Sequence, residues 1–374
     1  MRSNLCFLTP AMLILAMTQI IYAADVDSLA AKILQVQSDG EGNQAASQAW
    51  KELAKAPTTD LVAILSAIDG DQLLAANWLR AAVDTIAARA VAEGQALPKD
   101  DLRKFVLGSN GDPRARRLAF EWLRRVDEPA AEDLVPQLLH DASVELRRDA
   151  VDRLVERASV TLSEGKRSEA GDVYANALNA ARDNDQIQQI VKELKSLGRE
   201  VDLPTHFGFL TKWQVIGPFD NTARKGFAQI FPPEKQLEAG ERYEGKDGPV
   251  RWVNYETTDD YGMVDINQPL GSLKETVAYA WTEFQSDVER DVELRLGCKN
   301  AWKIWLNGDF IFGRDEYHRG MTLDQYRMKV RMKPGANQLL VKVCQDEQVE
   351  TWTVEWQFQL RVCDAAGTAV LSAE

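Results

Sequence analysis

The chain has 374 residues, 45% of them hydrophobic and 27% charged, with a formal net charge of -13. This is the ordinary range for a protein with a sizeable core, and the length suits two or three domains of ~100–200 residues. Acidity is spread over both halves with no basic tail or stripe, so a nucleic-acid duplex or an anionic membrane surface would repel most of the molecule. Nucleic acid is therefore not an expected partner.

At the start, Arg2 precedes the apolar run LCFLTPAMLILAMTQII, which leads to Tyr22-Ala23-Ala24. Charge, apolar run and small residues in that order predict a secretory signal over residues 1–24, cleaved after Ala23 or Ala24. An uncleaved membrane anchor is the rival reading. No later segment has the ~18 uninterrupted apolar residues needed to span a bilayer. The expectation is an exported protein, periplasmic or extracellular, with no membrane insertion after signal cleavage. Cys6 leaves with the signal. Cys298, Cys344 and Cys363 remain without a C-x-x-C spacing, as buried thiols or with at most one internal disulfide.

Residues 25–200 carry a helical period rich in alanine. NGDPRARRLAFEWLRRV from Asn110 and DASVELRRDAVDRLVERA from Asp141 align at an offset of 31 residues, with Arg116 on Arg147, Arg117 on Arg148, Ala119 on Ala150 and Leu123 on Leu154. The offset predicts a helix-pair repeat, with Asn110 and Asp141 capping helix starts and the alanines letting helices approach closely. These segments resemble short HEAT-like repeats, although Ala115 stands where that family has valine. LSEGKRSEAGDVYANALNAARDN resembles a tetratricopeptide helix pair, on Leu162, Gly165, Ala170, Tyr174, Ala177 and Leu178. The resemblance implies an α-solenoid-like domain but no particular ligand, since such domains present a concave surface to many kinds of partner; docking of protein is the expected role.

Near Val201-Asp202-Leu203-Pro204 the period switches to strands. WQVIGPF, VRWVNYET, TVAYAWTEF, DVELRLGC, QYRMKVRMK, NQLLVKVCQ and WTVEWQFQLRV follow, most with alternating apolar and polar positions. The last is expected to place Trp352, Val354, Trp356, Phe358, Leu360 and Val362 on one face. Half-buried antiparallel strands at this spacing predict a β-sandwich over residues 201–374. The fold class is thus helical repeats followed by an antiparallel sandwich. CKNAWKIWLNGDFIFG, followed by KPGANQLLVKVCQ, resembles the galactose-binding-like jelly roll attached to many secreted glycosidases. WQVIGPFDN resembles the opening strand of such domains. The whole chain also resembles exported bacterial proteins that join helical repeats to this sandwich.

NAWKIWLNGDFIFG reads as a hairpin turning at Asn307-Gly308. A regular register would pair Trp305 with Phe310, Ile304 with Ile311 and Lys303 with Phe312. Trp302, Ile304, Leu306 and Ile311 would then face the core, while Trp305, Phe310 and Phe312 form an apolar patch on the outer face. Such a patch is covered by a loop or the helical domain, stacks on sugar rings, or meets a protein partner. The loop GRDEYHRGMTLDQY brings Tyr317, His318 and Arg319 beside carboxylates. The candidate ligand-binding residues are Trp305, Phe310, Tyr317, His318 and Arg319, with carbohydrate or an extracytoplasmic protein as partner. Arg327, Lys329, Arg331 and Lys333 read as the solvated face of their strand.

No cofactor is expected, beyond a structural calcium at the acidic loops QDEQVETW (Gln345–Trp352) or TTDDYG (Thr257–Gly262). Serine-hydrolase, zinc-protease, phosphate-loop and dinucleotide motifs are absent, and His140, His206 and His318 neighbour no nucleophile in a recognisable arrangement. The reading is a non-catalytic binding or scaffolding protein. Its alternative is an accessory or degenerate polysaccharide-processing hydrolase.

Overall fold

The computed structural model describes residues 26–238 and 240–373. The signal segment expected over 1–24 lies outside them. The chain divides between Gly198 and Arg199 into two compact units, helical and then antiparallel β. No helix among the described residues is long and apolar enough to cross a membrane.

In the first unit, residues 26–33 are helical. Then come α1 (Asn43–Leu53), α2 (Leu61–Ser66), α3 (Leu73–Ala92), α4 (Lys99–Leu107), α5 (Pro113–Val126), α6 (Glu128–Glu132), α7 (Val144–Ser163), α8 (Arg167–Ala180) and α9 (Asn184–Ser196). Alanines on α3, α5 and α7, among them Ala82, Ala87, Ala119 and Ala150, are buried in one apolar core. The aligned helices α5 and α7 are capped two residues later than expected from Asn110 and Asp141. Asp112 caps α5 by accepting the Arg114 N–H at 2.8 Å, and Ser143 caps α7 by accepting the Leu146 N–H at 3.4 Å. Asp141 is instead drawn to the buried Arg116, whose Nη1 donates to it at 3.0 Å. Arg117 reaches Asp149 on α7 at 2.6 Å, and its aligned counterpart Arg148 reaches Asp185 on α9 at 2.6 Å. Each arginine thus ties its helix to one further along the chain.

The second unit begins with α10 (Leu203–Phe207), capped by Asp202. Its strands are β1 (Lys212–Asp220), β2 (Arg242–Glu244), β3 (Pro249–Arg251), β4 (Val253–Glu256), β5 (Val264–Asp265), β6 (Thr276–Ser286), β7 (Arg290–Cys298), β8 (Ala301–Leu306), β9 (Asp309–Arg314), β10 (Tyr326–Met332), β11 (Gly335–Gln345) and β12 (Gln357–Cys363). A short α11 (Asn267–Leu270) lies between β5 and β6. One sheet has six strands in the order β4-β1-β6-β11-β8-β9, another has four in the order β10-β7-β12-β5, and β2 and β3 form a ribbon. All named pairings are antiparallel. Trp213, Ala280, Trp302, Ile304 and Val341 of the larger sheet pack with Leu294, Leu296, Phe358 and Leu360 of the smaller, giving a sandwich with a dry interior.

A second core lies on the opposite face of the six-stranded sheet. Ile216, Tyr279, Trp305 and Leu340 point outward from their strands and meet Phe227, Phe231, Leu237, Tyr243 and Val250 of the long β1–β4 connection. Lys342, also on this face, is fully buried and anchors the connection. Its ammonium donates to Glu234 at 2.7 Å and to the Gln229 and Phe227 carbonyls at 2.7 and 3.3 Å. Three donors meet three acceptors, the condition for burying an ammonium. Tyr279 donates its hydroxyl to the same Glu234.

Two sequence expectations change here. The hairpin turns at Asn307-Gly308, both left-handed (φ 53° and 88°), but a bulge pairs Ile304 with Phe312 and Lys303 with Gly313. The extra residue sends Phe312 to the inner face against Trp302 and Tyr326, so it is not part of an outer patch. The final strand starts only at Gln357. Residues 348–353 close a turn in which the Thr353 hydroxyl donates to Gln348 and Glu350 carbonyls, leaving Trp352 60% exposed while Trp356 is buried.

The outer face of the smaller sheet is also covered. Arg361 donates from Nη1 to the Phe207 carbonyl on α10 at 3.1 Å and to the Gly367 carbonyl at 3.2 Å. Its guanidinium and that of Arg295 grip Asp324 at 2.6 and 2.7 Å. Cys298, Cys344 and Cys363 are buried free thiols, pushed up by burial to about 12, about 12 and about 11.

Candidate functional site

Strand register brings one end of the large sheet together. Asp220 of β1 and Gln345 of β11 both pair with Thr276 of β6, so the residues just beyond them converge. The backbone continues the ladder by one step: Asn221 N–H donates to the Glu275 carbonyl at 2.9 Å, and Glu275 N–H donates to the Asp346 carbonyl at 2.9 Å.

Asp346 is the centre of this end. Its side chain is fully buried, Oδ2 accepts from Arg224 Nη2 at 2.9 Å, and Oδ1 lies 2.9 Å from His318 Nε2. The Gln348 N–H also donates to Oδ1 at 3.2 Å. A buried carboxylate survives only when charge and hydrogen bonds replace its water, and these three donors do so. Arg224 extends to Glu347 with Nε at 3.2 Å and Nη2 at 2.9 Å, and its guanidinium lies 5.0 Å from the centroid of Tyr317. The Arg224 hydrogen bond holds the Glu347 carboxyl below its ordinary range. Burial pushes the Tyr317 hydroxyl well up, and that hydroxyl accepts from Asn221 Nδ2 at 3.1 Å. His318 meets the exposed Trp352 ring edge-on, with centroids 5.3 Å apart.

The backbone here is unusual. Among the described residues, six non-glycines have left-handed φ, and four of them, Ala223 (55°), Arg224 (61°), Glu275 (52°) and His318 (55°), surround Asp346. Each such residue costs about 1–3 kcal/mol and persists only where its surroundings over-determine it, a condition met most often at functional sites. These groups form the Asp346 shelf, with Glu347 on the Arg224 guanidinium and the exposed Trp352 ring against His318.

The five candidate residues do not form one site. Tyr317 and His318 belong to the shelf. Arg319 is exposed and pairs with Glu316 at 3.2 Å. Trp305 is 7% exposed in the second core, so its ring faces are closed to a ligand. Phe310 remains 57% exposed on the edge strand, edge-on to Trp305 at 5.8 Å. Sequence reasoning missed Arg224, took Glu347 only as part of the acidic loop Gln345–Trp352, and gave Trp352 to the end of that loop and to a strand. No local motif marks Arg224. In the other acidic loop, Asp259 accepts the Tyr261 and Met263 N–H groups at 2.8 and 3.2 Å. Among the described residues no group of three or more His, Cys, Asp or Glu side chains is placed to hold a metal ion.

No family profile matches the sequence, and no curated protein is similar to it. Solved structures are similar in part. A β-glucuronidase from an uncultured Clostridium species is 14% identical over 42% of this chain and 29% of that one, with a TM-score of 0.27. A β-glucosidase from Kluyveromyces marxianus is 10% identical over 75% of this chain and 35% of that one, with a TM-score of 0.26. A GH31 α-xylosidase from Xanthomonas citri is 9% identical over 42% of this chain and 16% of that one, with a TM-score of 0.19. The chain spans about a third or less of each of these structures. All three are glycosidases by name, and the expectation of a chain without catalysis is corrected accordingly. A pair of carboxyls across a cleft leaves no local sequence motif, so the lack of familiar motifs in this sequence does not exclude catalysis.

Proposed function

We propose that the protein takes part in processing polysaccharides and that its β unit engages a sugar on the Asp346 shelf. The observation that carries this reading is the meeting of Arg224 and His318 on Asp346, with Glu347 on the guanidinium and the exposed Trp352 ring against the imidazole. An indole face suits the C–H face of a pyranose, while a guanidinium and a carboxylate supply the donors and acceptors that hydroxyl groups need. In the same reading the β unit is a jelly roll, the helical pairs form a solenoid that docks an extracytoplasmic protein, and the chain is exported after losing residues 1–24.

The test uses the chain from residue 25 to 374 in affinity electrophoresis through a panel of polysaccharides, with reducing-end release measured on those that retain it. Retardation that Trp352→Ala weakens is the expected result. Since Trp352 is 60% exposed, its loss should alter stability by no more than ~0.5 kcal/mol. A protein that no polysaccharide retards, or that Trp352→Ala leaves equally retarded, would overturn the assignment of this shelf.

A further inference from the structure

The outer face of the six-stranded sheet is covered over only part of its length. At the border of the second core, which Trp281 itself packs against, Gln214 of β1 stands between Asn254 of β4 and Trp281 of β6 in one row. In the next row Lys212 pairs with Glu256, and continuing the β1–β6 register puts Glu283 on its other side. All six point away from the interior, because their neighbours Trp213, Val215, Tyr255 and Ala280 pack inside the sandwich. They line an open groove of roughly 550 Å³. β4 is the edge of the sheet, so the groove has an open end.

We propose that this groove is a second ligand site, which takes an internal stretch of a neutral polysaccharide. Trp281 is half-buried and its indole is fixed edge-on against the buried Trp252, with centroids 6.0 Å apart. Packing on Trp252 sets its orientation, and the half-buried ring keeps some surface to stack on a sugar. The Gln214 and Asn254 amides each offer both donor and acceptor, which matches hydroxyl groups and does not favour a charged ligand. Lys212 lies 3.8 Å from Glu256, and Glu283 then leaves the groove with a net negative charge, which disfavours uronic-acid and sulfated chains. The strands β4 and β6 lie about 10 Å apart across β1, enough for roughly two sugar rings. The open end lets the chain continue past the sheet, so a chain terminus is not required.

This site is independent of the Asp346 shelf. Lys212 and Asp220 are the two ends of β1, about 26 Å apart along an extended strand, and the shelf adjoins Asp220. It rests on the reading that the protein handles carbohydrate, but the two sites fail separately.

The experiment is affinity electrophoresis and calorimetry of the chain from residue 25 to 374, with xylan, mixed-linkage β-glucan, mannan and polygalacturonate, and with hexasaccharides and monosaccharides of the neutral chains. The expected result is binding of at least one neutral polymer and its hexasaccharide, with none of the monosaccharide or polygalacturonate. Trp281→Ala should lose roughly 30-fold in affinity, the loss typical of an aromatic anchor. Asn254→Ala, at an exposed position, should also weaken binding and keeps the test valid if Trp281→Ala does not fold. Neutral binding that both variants retain, or binding confined to polygalacturonate or to monosaccharides, would overturn the proposal. Sensitivity to Trp352→Ala with indifference to Trp281→Ala and Asn254→Ala would sustain the shelf and sink the groove. The reverse pattern would do the opposite.

Discussion

Trp302 and Trp305 lie on the same strand, β8, and are buried in different cores. Trp302 fills the space between the two sheets, and Trp305 lies under the β1–β4 connection with Phe310 against its edge. Strand alternation separates them, and the long connection is what makes the second position dry. Trp302→Ala and Trp305→Ala should each destabilise the β unit by ~3–5 kcal/mol in denaturant unfolding. Phe310→Ala, at a position 57% exposed, should cost far less. A Trp305→Ala variant within ~0.5 kcal/mol of wild type would mean that the connection does not pack on it.

The Lys342–Glu234 pair should report on the same cover. Glu234→Ala leaves an ammonium buried with two carbonyls and no counter-charge, and is expected to cost ~3–5 kcal/mol. The double variant Lys342→Met/Glu234→Leu removes both charges and should be more stable than Glu234→Ala alone, a non-additivity read from a mutant cycle. Protease sensitivity within residues 228–245 should rise in the single variant.

Asp324 gives a pH prediction. Burial would raise its pKa, but hydrogen bonds and charge from Arg361 and Arg295 outweigh this and hold it below the ordinary value of 3.8. A carboxyl depressed in the folded state contributes stability above its unfolded pKa and loses it as pH falls through the folded value. Asp324→Asn should therefore destabilise by ~3–5 kcal/mol at pH 7, since it leaves two buried guanidiniums short of a counter-charge. The gap to wild type should narrow as pH drops below about 4. A gap that stays constant from pH 7 to pH 2 would show that the ionised form of Asp324 has no part in it.

The joint between the units is a further test. Leu203 and Phe207 are 3% and 2% exposed, and Phe207 accepts a hydrogen bond from Arg361 of β12, so α10 belongs to the β unit. Limited proteolysis should cut at 198–202 and spare 203–208. Cleavage inside α10 with the β fragment intact would contradict that docking.

How much of this could be read from the sequence depends on the distance over which each feature is set. The turn at Asn307-Gly308 was legible because left-handed backbone is chosen locally, and the opposed faces of Trp302 and Trp305 followed from alternation. The bulge that turns Phe312 inward was not, because one extra residue changes register without changing composition. Trp352 fits an alternating pattern with Trp356 and Phe358, yet the hydrogen bonds of Thr353 fold it into a turn. Phe227, Phe231, Tyr243 and Val250 have no common period, since they are spread along a connection shaped by the sheet beneath it. The same reasoning explains the shelf. Tyr317 and His318 stood out as a local group, but Arg224 and Asp346 meet only because β1 and β11 end in the same row.

The order of the strands also governs when the β unit can be completed. β6 must wait for β11, and β7 lies between β10 and β12, so the interior lacks one wall until residues 357–363 have been delivered. Local hairpins such as β8–β9 can form early, but no dry interior exists for them to pack on. A ribosome that releases the chain from its N-terminus would hand over a finished helical unit followed by a β unit still unclosed. Folding dominated by such distant pairings is slow. Loss of only the last two dozen residues would remove β12 and, with it, the means of closing everything from β1 onward.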